Sequence, residues 1–295
     1  MDLFSQLLRN RKALIGVTIL LVVVLLAVFA PLLTDYLPTQ RVGRPHQPPS
    51  GDHLLGTTRL GYDVFTRLLY GARVSLAVGF GAGLLITVIG TVLGIIAGYK
   101  GGVVDEVISF FTNMILVIPN LPLLLVLAAF IGQASPLVIA IILGFTSWAW
   151  GVRVTRSETM SIRQRDFVKS AEMLGESQWR IMAFEIFPNL ISIVGINFIG
   201  SVIFAVISEA TLEFLGLGDP NTVSWGIMLY NAQNSSALSV GAWWDILTPC
   251  IALATLGLGL ALINFAIDEI ANPRLRTGGM LLRWAGLIRR GEGTL

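Results

Sequence analysis

Long apolar stretches, each bounded by polar or basic residues, recur along the whole chain. They restrict it to folds for which hydrocarbon is the solvent. The first runs from Ala13 to Leu33 without a charged side chain, and a helix needs ~20 such residues to cross a bilayer. Its basic flank, Arg9, Arg11 and Lys12, also fits a secretory signal. The run is longer than the roughly 7–15-residue core of such signals, so it reads as a retained first span with its N-terminus in the cytoplasm. Further spans are expected at about Val74–Tyr99, Val103–Ile131, Leu137–Gly151 and Leu190–Leu215, and from Trp243 to near Ile270. Only 13% of the residues are charged and 54% are hydrophobic, against about 25% charged in soluble proteins. The expected fold is all-α, a polytopic membrane protein with six transmembrane helices.

Charge orients the spans. Lys and Arg cluster at Arg9–Lys12, at Lys100, from Arg153 to Arg180 and in the tail from Arg274. The positive-inside rule places these pieces, and so both termini, in the cytoplasm. Arg41, Arg44, Arg59, Arg67 and Arg73 fall on the outer side and run against the rule. No Lys or Arg occurs between Arg180 and Arg274, so the outer connection after the fifth span carries only acids, Glu209, Glu213, Asp219 and Asp245.

The chemistry of catalysis is missing. There is no phosphate-cradling Gly-x-x-x-x-Gly-Lys-[Ser/Thr] loop, no His-Glu-x-x-His and no nucleophile elbow. The lone Cys250 excludes an intrachain disulfide and a Cys-based metal site. His46 and His53 lie in a Pro-rich polar segment and are expected at its surface. No catalytic residue, metal or bound cofactor is expected, and the net charge of +2 gives no reason to expect a nucleic-acid partner. Any transport against a gradient must draw its energy from elsewhere.

The chain divides into residues 1–73, a first span with a polar segment and an interfacial helix from Tyr62 to Ala72; residues 74–270, a core of five spans; and a basic tail, 271–295. In the tail Met280, Leu281, Trp284, Ala285 and Ile288 share a helical face beside Arg283, Arg289 and Arg290, as in a helix lying on the inner membrane surface; a disordered tail is the alternative. Gly90, Gly94 and Gly98, with Gly79 and Gly83, recur every four residues and admit a neighbouring backbone. Pro119 and Pro122 should kink the third span. Trp148 and Trp150 read as an aromatic belt ending the fourth, with Arg153 and Arg156 as its basic boundary.

Between the fourth and fifth spans lies the most water-compatible helical stretch in the middle of the chain. Phe167, Val168, Ala171 and Leu174 recur at helical spacing, Gly175 interrupts, and Pro188 restarts a helix where its missing N–H costs little. With Ser170 and Ala171 as paired small residues, then Gly175, then Phe187-Pro188, this segment resembles the cytoplasmic coupling loop of permease subunits of binding-protein-dependent ABC importers. Lys169 and Ser170 depart from the usual pattern. Two more motifs resemble the dipeptide/oligopeptide/nickel branch of that family. One is Leu55-Gly56-Thr57 through Gly71-Ala72-Arg73-Val74-Ser75-Leu76, in which Thr58 and Tyr62 depart. The other is Glu209-Ala210-Thr211-Leu212-Glu213-Phe214-Leu215-Gly216-Leu217-Gly218, then Pro220 and Ser224-Trp225-Gly226-Ile227-Met228-Leu229. Asn272-Pro273-Arg274-Leu275-Arg276 is similar to its tail motif, whereas Phe110 and Asn113 stand where it usually has Arg and Asp.

The resemblance implies a type I ABC-importer permease fold. It implies a loop, residues 157–188, seated on an ATPase through Phe167, Val168, Ser170, Ala171, Leu174, Gly175 and Pro188. It also implies a folded-back outer loop, residues 216–243, with Glu209, Glu213, Trp225 and Gly226 as gate candidates. Implied partners are a paralogous permease, two ATP-binding subunits that carry ATP and Mg, an extracytoplasmic solute-binding protein and the lipid of a prokaryotic inner membrane. Glu209 and Glu213, one turn apart at a span end, would favour cationic or zwitterionic solutes if they faced the path; a structural role in the folded-back loop is the alternative. The competing function is a gradient-driven carrier or ion-conducting subunit. That reading expects ionisable residues deep in several spans or inverted repeats, whereas the charges here gather at span ends.

Overall fold

The computed structural model describes residues 10–271; the predicted tail helix and tail motif lie outside them. The described chain is helical, with isolated bridge pairs in place of any sheet. In order, its helices are α1 Arg11–Val28, the single turn α2 Ala30–Leu33, α3 Val64–Lys100, α4 Gly102–Val117, α5 Asn120–Ile131, α6 Pro136–Thr146, α7 Ala149–Arg163, α8 Asp166–Met173, α9 Gln178–Phe214, α10 Trp225–Asn234 and α11 Trp243–Ala271. Helices α1, α3, α9 and α11 are each long and apolar enough to cross a membrane. The bent pairs α4–α5 and α6–α7 bring the spans to six when each pair is one span.

Helix α3 is the spine, touching α1, α4, α6, α7, α9, α10 and α11. Its glycines make this possible. A Cβ on Gly94 would lie 2.6 Å from Thr155 Cβ, and one on Gly98 would lie 2.7 Å from the Arg156 carbonyl oxygen, both in α7. Gly90 meets Gly151 of α7, while Gly79 and Gly83 accept Val206 and Val202 of α9. The four-residue glycine spacing is thus a packing device, as expected. Between α1 and α11, Gly16 and Gly259 play the same part.

Several expectations are corrected. No separate interfacial helix covers Tyr62–Ala72, because α3 runs unbroken from Val64 through the boundary drawn at Arg73. The charge of Arg73 argues for the water side. Its Nε and Nη2 instead donate to the carbonyls of Ala27 and Val28, 2.5 and 2.7 Å away, at the C-terminal end of α1, where a cation is favoured. Arg67 is likewise buried, donating to the Pro38 carbonyl at 3.2 Å and stacked over the Tyr62 ring. Two of the outer arginines therefore have structural partners.

His53 is not on the surface. It is buried with Nδ1 2.9 Å from Asp63 Oδ2. Asp63 caps α3 by accepting from the Thr66 N–H at 2.7 Å, and Trp244 of α11 donates to the Thr57 carbonyl at 3.2 Å. The polar segment after α2 is thereby fastened to α3 and α11.

The third span does not merely kink but turns by 86° between α4 and α5. Ile118 is extended, the conformation that a following proline imposes, and Pro119 becomes the N-cap of α5. Pro122 sits in the first turn of α5, where no intrahelical bond is lost. The fourth span does not end at Gly151. It bends by 42° between Thr146 and Ala149 and continues to Arg163, so Trp148 and Trp150 lie at a bend rather than closing a belt. Arg153 and Arg156 do more than mark a boundary. Arg156 grips Asp105 of α4 through two bonds of 2.5 and 2.6 Å, and Arg153 donates to Asn113 at 3.0 Å. The helix that lacks a charge pair at Phe110 and Asn113 instead offers Asp105 to an arginine of α7.

Replacing Gly94 with Val drives a side chain into Thr155, an overpacking cost of about 1–3 kcal/mol. Its apparent Tm in detergent should fall by several degrees, while Gly195→Ala, whose added Cβ meets nothing within 4 Å, should hold or raise it.

Candidate functional site

Three places gather polar or exposed apolar residues. The first is the connection from α7 to α9. Helix α8 lays Val168 and Ala171 against Ile95 and Tyr99 of α3 and Ile181, Met182 and Ile186 of α9. Phe167 is partly exposed and Leu174 is 82% exposed, so the predicted apolar face divides between an anchored side and a bare one. Ser170 is exposed. The helix ends as expected at Gly175, with φ +78°. The Gly175 N–H donates to the Glu172 carbonyl and the Glu176 N–H to the Ala171 carbonyl, the two hydrogen bonds that close a helix on a left-handed residue.

Beyond the turn, Glu176 and Arg180 pair at 2.9 Å. Met173, Leu174 and Trp179 stand out from the turn as a bare apolar knob. The α-helix resumes at Phe187 with Pro188 in its first turn, as expected, but it does not start afresh there. Helix α9 is already under way at Gln178 and passes through a π-helical segment, Ile181–Ile186, just before it. The wider turn relieves the clash that a proline ring makes with the carbonyl four residues back. Likewise residues 157–163 of the predicted loop are still α7.

The second place brings together all four gate candidates. Glu209 and Glu213 are completely buried on α9. Glu209 Oε1 accepts from Ser75 Oγ of α3 at 3.3 Å, and the same hydroxyl accepts from the Trp225 N–H at 3.3 Å. Glu213 accepts from Ser224 Oγ, which in turn caps α10 by accepting from the Ile227 N–H at 3.1 Å. Trp225 Nε1 donates to the Leu68 carbonyl at 3.0 Å. Gly226 lies against Ala210 and Glu213, where a Cβ would come within 2.8 Å of Ala210 Cα. Neither carboxylate faces solvent in this conformation. The pair fastens the start of α10 to α3 and α9.

The third place is a cavity of about 580 Å³ where both bent spans turn, closed by α3, α9 and α11. Asn120, Thr146, Ser147, Asn197, Ser201 and Asn264 supply its polar groups, and no charged side chain lines it. Asn120 Nδ2 reaches Ser147 Oγ at 3.4 Å across the two bends. These residues escaped the motif-based reading. The usable signal was amide side chains such as Asn197 and Asn264 inside otherwise apolar runs.

Residues 90–277 match the family model of binding-protein-dependent transport system inner membrane components. The chain belongs to this family. Residues 1–49 match the N-terminal transmembrane domain of oligopeptide transport permease C. The chain is 33% identical to the dipeptide transport system permease protein of Alkalihalophilus pseudofirmus, over 94% of this chain and 90% of the relative. It is 29% identical to the oligopeptide transport system permease protein of Bacillus subtilis, over 90% and 87%. With the glutathione transport system permease protein of Pectobacterium atrosepticum it shares 28% identity, over 94% and 91%.

In this family member the carboxylate cluster is an anchorage that can be tested directly. Ser224→Ala removes the α10 cap, ~1 kcal/mol, and leaves Glu213 short of a partner at a further cost of about 1–3 kcal/mol. Limited proteolysis should then cut within residues 216–243 several-fold faster than in the parent, and the exposed Ser239→Ala should leave the rate unchanged.

Proposed function

We propose that the chain is the transmembrane subunit of an ATP-driven importer and forms, with a second, paralogous permease, the path for peptides or a related small solute. The observation that carries this reading is the knob of Met173, Leu174 and Trp179. It is bare on one side and anchored through Val168 and Ala171 to α3 and α9 on the other. Exposed apolar groups rimmed by polar residues mark protein–protein contacts, and a push on this knob moves two spans together. One of two ATP-binding subunits would seat it in the cytoplasm, and the two together would carry ATP and Mg. An extracytoplasmic solute-binding protein would deliver the solute at the opposite end, near the anchored α10 segment. Basic residues around the knob and at both termini support a cytoplasmic position for that side of a prokaryotic inner membrane. The relatives' dipeptide, oligopeptide and glutathione names support a peptide-like solute.

In this reading the chain performs no catalysis, and ATP hydrolysis belongs to its partners. Helix α8 transmits motion, and Glu209, Glu213, Trp225 and Gly226 keep the outer segment in register with α3 and α9. The buried carboxylates thus act on the gate by holding it rather than by binding charge on the solute.

Single cysteines at Leu174 and at Glu176, in a Cys250→Ser background, test the coupling role. Crosslinking to a co-expressed ATPase should occur in native membranes and its yield should change on adding ATP. A loop that stays unlinked with and without nucleotide removes the energy source from this reading.

A further inference from the structure

The knob packs against the end of α3. Where α3 begins, at the opposite end of the bundle, it encloses a cavity of about 210 Å³ with the residues just before it, with α10 and with the first turn of α11. Two oppositely charged side chains line this cavity, Arg67 of α3 and Asp245 of α11, and they are only 4% and 3% exposed. They lie near enough to attract each other, yet no ion pair joins them among the described residues. Asp245 differs from Glu209 and Glu213, which accept from hydroxyls. Among the described residues its carboxylate has no hydrogen-bond partner, and neither of its oxygens is sealed from water. Arg67 spends Nη1 on the Pro38 carbonyl and its face on the Tyr62 ring. Its Nε and Nη2 have no partner among the described residues and are likewise not sealed.

A buried charge is costly unless it is paired. Here one carboxylate and one guanidinium face the same space, and neither holds its counter-charge. A lone cation would leave Arg67 unpaired, and a lone anion would leave Asp245 so. A ligand that satisfies both carries an ammonium and a carboxylate close together, as the termini of an amino acid or a short peptide do. Nε and Nη2 are the side-by-side donors from which a carboxylate accepts two parallel bonds. The volume is below the ~300–1,000 Å³ of most small-molecule sites, which limits the occupant to about one or two small residues. We propose that this cavity is a zwitterion subsite, in which Asp245 takes the α-ammonium of an amino acid or short peptide and Arg67 takes its α-carboxylate. The inference rests on the peptide-importer reading above and narrows it to solutes with both termini free. Asn231 and Asn234 of α10 form part of the wall, so a solute handed over at this end meets the anchored segment before it reaches the bends.

The test uses the chain assembled with its partner permease and ATPases in lipid nanodiscs, without the binding protein. Equilibrium dialysis measures binding of dialanine, of N-acetyl-dialanine, which lacks the ammonium, and of dialanine amide, which lacks the carboxylate. The parent should bind dialanine about ten- to a hundredfold tighter than either analogue, the range for a hydrogen bond between charged groups. Asp245→Asn keeps the shape of the side chain and breaks no hydrogen bond among the described residues. It should weaken dialanine and its amide by a similar factor and leave N-acetyl-dialanine unchanged, because that analogue brings no ammonium. Equal loss for all three ligands, or dialanine bound as tightly by the variant as by the parent, overturns the subsite. If Asp245→Asn does not assemble, the order of the three ligands on the parent decides: equal binding of all three, or no saturable binding of dialanine, overturns it. Peptide uptake by the complex with its binding protein is measured alongside. Uptake without dialanine binding removes the subsite and leaves the importer reading, and dialanine binding without uptake of any peptide does the reverse.

Discussion

In hydrocarbon every backbone N–H and C=O must find its partner within the protein, because no water is there to take it. This constraint makes the chain a set of helices, and it gives each departure from helix a cost that local chemistry must meet. Arg73 offsets it at the end of α1 by bonding the last carbonyls. Asp63 offsets it at the start of α3, and Ser224 at the start of α10. At the end of α8, in the polar connection, Gly175 closes the helix on itself. Where the third and fourth spans bend near the middle of their length, the side chains that gather are Asn120, Thr146 and Ser147, and the space between them is a polar cavity.

Close helix contact supplies the rest. Without a hydrophobic driving force between helices in lipid, association depends on packing and on buried polar bonds. The glycines of α3 let α7 and α9 approach to backbone distance, which fastens all three helices to one another by direct packing. The connection between α7 and α9 is seated on the end of α3 by Val168 and Ala171. A force applied at the Met173–Leu174–Trp179 knob is therefore applied to the spine and to α9, the helix that also carries Asn197, Glu209 and Glu213. One helix thus connects the exposed knob, the cavity and the anchored α10 segment.

Much of this was legible in the residues. Apolar runs marked the spans, glycine spacing marked the close contacts, and the motifs around Gly175 and Glu209 marked the two ends of α9. What escaped had physical causes. The charge of Arg73 argued for a boundary that its two carbonyl partners make unnecessary. His53 looked like a surface residue because its partner, Asp63, is ten positions away in an irregular segment. Nothing in Ser147-Trp148 announces a bend, since it contains neither Pro nor Gly. Pro188 does open an α-helical run, but the π-helical segment that joins this run to Gln178 has no sequence signature. The cavity was missed because its polar groups come one or two at a time from α5, α6, α9, α11 and the bend after α6, most of them far apart in the chain.

The central claim is that the bends in the third and fourth spans hold a hydrated cavity at membrane depth. Single cysteines at Asn120, Ser147 and Ser201, and at the outward-facing Leu84 and Val88 on α3, can be compared in a Cys250→Ser background for reaction with a small, charged thiol reagent. That reagent needs water to reach an ionised thiol. The account predicts labelling at the three cavity positions at rates well above those at Leu84 and Val88. Equal, slow labelling at all five would mean that the bends are dry and that the path lies elsewhere.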